Sequence, residues 1–275
     1  MQATLERAFA DFVLGPELSP EELSERLARQ GVADADRKSI EAEDFQRLLL
    51  YRRLVRHTLR ETLELAIPRS MARMGSVFEE YFDRFLCERG PRTHYLRDAT
   101  AELIEWCEPL WAEDPRIPAY LPELARHEAL RIEMGAMPGA PPDHESGELT
   151  LEHGVCFIRA SRLMRYRHAL HELSDDVNDT SSPVQRETRL FVYRSPEHEV
   201  RYLELSALAF AIVERLLRGD ALGSAVKLAC SEEGVLVDPG VLDGTARLLA
   251  DLAERGALLG RTNDAPGVPQ SDFVT

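Results

Sequence analysis

Lysine is almost absent from this 275-residue chain. Only Lys38 and Lys227 occur among its 33 lysines and arginines, so arginine supplies nearly all the positive charge. Cysteine is scarce as well. Cys87, Cys107, Cys156 and Cys230 are widely separated and form no CxxC pair, which argues against the dense disulfide framework of small secreted domains and the usual zinc spacings. The four thiols are expected to be reduced and mostly buried. No apolar run approaches the roughly 20 residues that span a bilayer. The N-terminus MQATLERAFADF is an amphipathic helix with acidic residues, unlike a signal peptide, so a soluble cytoplasmic protein is expected. The chain also lacks GxSxG, HExxH, a Walker loop and GxGxxG, the short motifs that most directly announce an active site.

What is present is an acidic chain, net charge −15, with 44% hydrophobic residues. That is enough to bury a sizeable core, and two domains are expected. Leu5–Leu14 reads as a first amphipathic helix. Ser19, Pro20 and Glu22 form a capping box with proline at the first helical position, opening a helix that Gly31 ends. Gln46–Ala66 follows. At about 100° per residue it gathers Leu48, Tyr51, Leu54, Val55, Thr58, Leu59, Thr62, Leu65 and Ala66 on one side, and Arg53, Arg56, His57, Arg60, Glu61 and Glu64 on the other. Pro68 stops this helix. Ser76 is expected to cap an aromatic helix bearing Phe78, Tyr81, Phe82 and Phe85, which ends at Gly90. Two more helices lie around Trp106 and over Leu121–Glu133.

Within this stretch the pair Tyr51-Arg52 opening a long helix, the Pro68 stop, FEEYFDRFLCERGPRTHYLRD and YLPELARHEALRIE recur in an order that resembles a bacterial family labelled a DNA-binding domain. Its better-understood members are partner proteins of multinuclear non-haem iron oxidative (MNIO) enzymes, such as the smaller subunit of the methanobactin-forming pair. The resemblance covers residues 1–135 by pattern and continues more loosely into RLMRYRHALHELSDD and the C-terminal third. It implies a helical domain that binds an iron enzyme, with the iron held by that enzyme and no cofactor in this chain.

Residues 135–148, GAMPGAPPDHESGE, break the helical pattern and read as a linker. Beyond them the period becomes alternating. Leu149–Leu151 and Val155–Ile158 flank Glu152-His153-Gly154 as a hairpin, Leu163–Leu173 and Arg189–Arg194 alternate, and Ser195–His198 turns the chain into Glu199–Leu205. Ser174–Gln185 between them is polar and expected to be mobile. Ser206 then caps a helix to Leu217, Asp220–Ala229 makes a second, and Asp238-Pro239 opens a third, with Leu258–Leu259 as a short extended end. The fold class expected is mostly α with a smaller α+β part: an N-terminal helical bundle over 1–134, the linker, a winged-helix-like hairpin and three-helix domain over 149–262, and a flexible tail over 263–275.

A winged helix has two common uses, reading DNA with its third helix and capturing an extended peptide along a strand edge. Here the third helix would offer phosphate Asp238, Asp243, Asp251 and Glu254 against Arg247 and Arg255, a poor surface for a polyanion. The segment resembles the RiPP recognition element, which binds leader peptides of ribosomally made, modified peptides. That resemblance implies a cleft between Arg201, Tyr202, Leu203 and Leu205 on a strand and Val241, Thr245 and Leu248 on the helix, with Thr245 expected to be partly exposed. The alternative is that both faces pack into the domain core, which is the better reading for Leu248, Leu249 and Leu252 taken singly. The basic cluster Arg52, Arg53, Arg56 and Arg60, with His57 and Arg47 nearby, reads either as a solvated face paired with Glu61 and Glu64 or as a surface for an acidic partner.

Catalytic sets are weak. His168 and His171 would point to opposite faces of a strand, and Glu123 with His127 reads as a surface i,i+4 pair lacking the second Glu-x-x-His motif of a di-iron bundle. The reading is a non-catalytic subunit, with no metal of its own, that presents a precursor peptide to an iron enzyme. The alternatives are an acidic winged-helix transcriptional regulator and a metal-dependent enzyme.

Overall fold

The computed structural model describes residues 2–138, 144, 145 and 147–262. The expected tail over 263–275 and much of the expected linker lie outside the described residues. The architecture is mostly α with a smaller α+β part. The chain divides into two compact units, Met1–Ala129 with Ser174–Thr180, and Leu130–Leu173 with Ser181–Thr275. Among the described residues no helix is long and apolar enough to cross a membrane.

The first unit contains α1 (Gln2–Leu14), α2 (Pro20–Arg29), α3 (Asp34–Ala42), α4 (Phe45–Ala66), α5 (Pro68–Met74), α6 (Ser76–Glu88), α7 (Ala99–Trp111) and the first part of α8 (Leu121–Ala136). The Ser19–Glu22 capping box is present in full. Phe12, Val13, Leu23, Leu27, Val32 and Leu49 form the core joining α1, α2 and α4. Around α6, Phe78 stacks on Phe82, Phe85 leans on Trp106, and Tyr81 meets Trp111 edge-on at 6.3 Å. The Tyr81 hydroxyl donates to Asp114 at 2.9 Å, and burial together with that carboxylate pushes its pKa up to about 12.

Three expectations are corrected here. Helix α3 has no counterpart in the sequence reading. Pro68 does end α4, but it also opens α5 from the first helical position, where its missing N–H is harmless. Ser76 is not a cap: Gly75, at φ +56, holds the cap position of α6 and Ser76 is already helical. The chain reverses between two abutting helices at that point, and such a φ favours glycine.

Helix α4 is also rotated relative to its expected face. Its buried line is Leu49, Arg52, Leu59, Leu63 and Ala66, a regular helical spacing. Tyr51, Leu54 and Leu65, expected inside, are 49%, 54% and 70% exposed. The reason is Arg52. It falls on the buried line because its guanidinium donates to the Gly15 carbonyl at 2.5 Å, while Arg56 donates to the Leu14 carbonyl at 2.7 Å and pairs with Asp83. The end of α1 leaves carbonyls without helical partners, and two arginines of α4 satisfy them. Burial and the neighbouring Arg56 hold Arg52 below the usual guanidinium range.

The second unit has two small antiparallel sheets. β1 (His144–Glu145), β6 (Leu258–Thr262) and β2 (Val155–Phe157) form one, in that order. The expected hairpin around His153 is therefore replaced by pairing of β2 with β6, and the segment read as a short extended end is the central strand. β3 (Ser161–Tyr166), β4 (Thr188–Arg194) and β5 (Val200–Glu204) form the other, with β4 in the middle. Pro196 and Glu197 make the β4–β5 turn, closed by His198 at φ +65, the three-residue form with a left-handed last position. Helices α9 (Ala207–Leu217), α10 (Leu222–Glu232) and α11 (Pro239–Glu254) complete the unit. Ser206 and Asp238 cap α9 and α11 as expected, accepting from Ala209 and Val241. The core runs from Phe191 and Tyr193 through Val213 and Leu216 to Leu249 and Leu252.

Candidate functional site

β5 is an edge strand, and its register on β4 determines what the edge presents. Leu205 donates its N–H to the Arg189 carbonyl and Ser195 donates to the Glu199 carbonyl, both at 2.8 Å. These pairs lie in the same register as Tyr193↔Arg201 and Phe191↔Leu203. In an antiparallel ladder, bonded and non-bonded pairs alternate, so the odd residues of β5 bond to β4 and the backbone groups of Val200 and Glu204 face away from it. Odd side chains take the core face: Leu205 is buried, Leu203 packs partly buried against the same core, and Arg201 at the strand's start is exposed. Tyr202, on the other face, is 37% exposed.

The α11 residues of the expected cleft border the same core. Val241 and Leu248 are half-buried against it, as Leu203 is. Thr245 is different: it is buried, and its hydroxyl donates to the Val241 carbonyl at 2.8 Å. Its expected partial exposure is corrected, because the α11 face that carries it also carries Leu249 and Leu252 inward. Both arginines on the outer side of α11 are paired one turn away, Arg247 with Asp243 at 2.6 Å and Arg255 with Asp251 at 2.8 Å.

Glu204 anchors the end of β5. Arg186 bridges it to Glu172, and His171 lies 3.3 Å from it. Arg186 foremost, and then His171, holds the Glu204 carboxyl below the usual range. His171, Glu172 and Glu204 bring ligand-type atoms within 4.8 Å of one another. Arg186 pairs with both carboxylates, so these groups form an ion-pair network on the surface. His168 and His171 do not lie on a strand as expected. β3 ends at Tyr166, and His171 sits in a short 3-10 turn, Leu170–Glu172.

In the first unit the expected basic face is largely turned to internal use. Arg52 and Arg56 hold the end of α1, Arg60 pairs with Glu79 and Glu64, and His57 pairs with Glu61. Arg53 is exposed. Beside this face, Phe9, Val13, Tyr51, Leu54, Val55 and Leu96 contribute to an apolar groove of about 550 Å³.

The α8 carboxylate Glu128 went unrecognised in the sequence. It is buried and accepts from the backbone N–H groups of Arg69 and Ser70, each at 2.9 Å, and from the Ser70 hydroxyl at 2.6 Å. It thereby caps α5, whose own cap position is Ile67. A second helix starting directly at Pro68, with no capping side chain before it, is the signal that an acceptor must come from elsewhere. His127 beside it is buried, so the expected surface pair with Glu123 is corrected. Arg69 and Arg73 also donate to the Ser174 and Asp179 carbonyls, tethering a segment expected to be mobile.

Residues 159–253 match the family model described as HvfC C-terminal domain. The match runs from just before β3 through nearly all of α11, and so includes both β5 and the α11 residues. No curated protein matches the chain.

Proposed function

We propose that this chain is a non-catalytic partner subunit. It binds the leader of a ribosomally made precursor peptide and presents it, in the cytoplasm, to an iron-dependent oxidative enzyme of the MNIO class that carries the iron. The observation that carries this reading is the match of residues 159–253 to the HvfC C-terminal domain. That segment is the one whose sequence resembles a RiPP recognition element, and the match fits a partner-type family.

The β5 edge supports a physical mechanism. A leader segment adds to β5 as a further strand, and its backbone pairs with the outward groups of Val200 and Glu204. Main-chain bonds of this kind supply affinity, and pockets for alternate side chains supply selectivity. In this reading Leu203 on the strand and Val241, Thr245 and Leu248 on α11 supply the side-chain pockets, while Arg201 and Tyr202 meet the peptide at the surface. Arg52, Arg53, Arg56 and Arg60 lie on the helical unit that faces the enzyme. Of these, Arg53 is available for direct contact, and the other three shape the surface by fixing α1 and α6 against α4. The regulator reading is disfavoured by α11, whose arginines are neutralised within their own helix and would have to leave their aspartates to meet phosphate.

Co-expression with an MNIO-class iron enzyme, followed by size-exclusion chromatography, tests the reading. One co-eluting peak at micromolar concentration is expected, and two separate peaks contradict it.

A further inference from the structure

The sheet of β3, β4 and β5 has two edges, and β3 is the second. Its register on β4 fixes which groups face outward. Arg194 donates its N–H to the Ala160 carbonyl at 2.9 Å, in the same register as Arg162↔Val192 and Met164↔Leu190. Bonded and non-bonded pairs alternate along an antiparallel ladder. The even residues of β3 therefore bond to β4, and the backbone groups of Leu163 and Arg165 face away from it. Among the described residues no strand pairs with that side. A strand edge left unpaired is a template for another strand.

Charge sets this edge apart from β5. From His153 to His171 the chain carries Arg159, Arg162, Arg165 and Arg167 and no aspartate or glutamate, on a protein of net charge −15. Arg162 is engaged by Glu133 at 3.0 Å. The Arg165 side chain is more than half exposed, and its guanidinium lies over the Phe210 ring at 5.2 Å. Its ion-pair partner Glu187 is 3.9 Å away and sits closer to Arg189, at 2.7 Å. Arg159 is exposed and makes no ion pair among the described residues. Arg167 is exposed as well. The β5 edge, by contrast, has Glu199 and Glu204 beside Arg201.

We propose that β3 captures an extended acidic segment of another protein. The segment bonds through its backbone to Leu163 and Arg165 as a fourth strand. Aspartates or glutamates at its alternate positions meet Arg165, with Arg159 and Arg167 just beyond the two ends of β3. Main-chain bonds supply the affinity of such strand addition, and complementary charge selects the partner and speeds its arrival. The same arginines turn away neutral and basic edges. A second copy pairing β3 with β3 about a two-fold axis would set two arginine rows side by side, and like charges opposed across strands destabilise the pair. The assignment does not rest on peptide binding at β5 or on the identity of the enzyme.

The test uses the full chain and two labelled synthetic peptides of about ten residues, ~33 Å when extended. Both alternate valine with a charged residue, glutamate in one and lysine in the other. In fluorescence anisotropy the glutamate peptide is expected to bind saturably and the lysine peptide at least about tenfold more weakly. Arg159→Glu should weaken the glutamate peptide by at least about tenfold. Arg165→Pro removes an N–H that faces away from β4, at an edge position where proline is tolerated. It should weaken the peptide at least about fivefold more than Arg165→Ala, which removes the charge alone. Circular dichroism checks the fold of each variant, and Arg159, being exposed, should be replaceable without loss of structure. Equal affinity for the two peptides overturns the proposal, as does unchanged affinity in folded Arg159→Glu. Equal losses in folded Arg165→Pro and Arg165→Ala overturn strand addition. A comparable loss in Val200→Pro, at the opposite edge, overturns it in favour of β5. Tighter binding of a single-stranded oligonucleotide than of the glutamate peptide overturns it in favour of nucleic acid.

Discussion

Glu128 and Ser70 lie 58 positions apart in the chain, yet the Glu128 carboxylate accepts from both the backbone N–H and the hydroxyl of Ser70, at 2.9 and 2.6 Å. A buried carboxylate is stable only when hydrogen bonds replace its water, and here the first turn of α5 supplies them. Glu128→Ala leaves two backbone donors and one hydroxyl buried without an acceptor. A loss of about 2–4 kcal/mol is expected, read from urea midpoints, and Glu128→Gln should lose less. An Ala variant as stable as the parent would mean that the α5 start is held by other groups.

The register of β5 separates two proline substitutions that look alike in sequence. Leu203→Pro removes an N–H that belongs to the β4 ladder, so the sheet should be disrupted. Val200→Pro sits at the first position of the edge strand, where proline is tolerated, and removes only an N–H that faces away from β4. The folded Val200→Pro protein should bind leader peptide at least about tenfold more weakly, or 1.4 kcal/mol. Unchanged affinity would move the peptide site away from this edge. Thr245→Arg is a poor probe by comparison, because Thr245 is buried and the change would test folding.

The Arg186 network makes a pH prediction. Glu204 has its folded-state pKa depressed, chiefly by Arg186. Its contribution to stability is therefore present above the unfolded carboxyl value of about 4.3 and is lost as pH falls through the lower folded value. Arg186→Gln should be less stable than the parent at pH 7, and the gap should close at pH values below about 4. A gap that is constant across that range would contradict the linkage.

Thiol accessibility gives a direct check on the packing. Cys87 is exposed, whereas Cys107, Cys156 and Cys230 are buried, and burial pushes the Cys107 thiol up to about 12. A thiol reagent at pH 8 should modify one cysteine per native chain promptly and the other three only after denaturation. Prompt reaction of two or more would show that these cores are open.

Local signals in the sequence were legible where a few neighbouring residues decide the structure. Ser19 with Glu22, Ser206, and Asp238 with Pro239 each announce a helix start, and the β4–β5 hairpin follows from alternation around Ser195–His198. The α+β character of the second half followed from the same change of period. What escaped reading depends on partners distant in sequence. β2 pairs with β6 about a hundred positions away, and no local pattern distinguishes that pairing from a hairpin around His153. The buried side of α4 is set by where α1 ends, since Arg52 must reach Gly15, so counting apolar residues alone rotates the helix wrongly. His127 looked like half of a surface pair with Glu123 because such spacings are common in a charged helix, and Glu128 drew no notice; the unsatisfied start of α5 explains why Glu128 is buried. Thr245 was misjudged for a related reason: threonine tolerates either environment, and its Val241 hydrogen bond removes the penalty for burying the hydroxyl.

On the proposed function, this chain supplies peptide binding and not chemistry. A decisive reconstitution combines an MNIO-class iron enzyme with its precursor peptide and follows the peptide mass with and without this chain. Oxidative modification that depends on the chain is predicted, falling by at least about tenfold when Val200→Pro replaces the parent protein. Modification at the same rate in its absence would contradict the account.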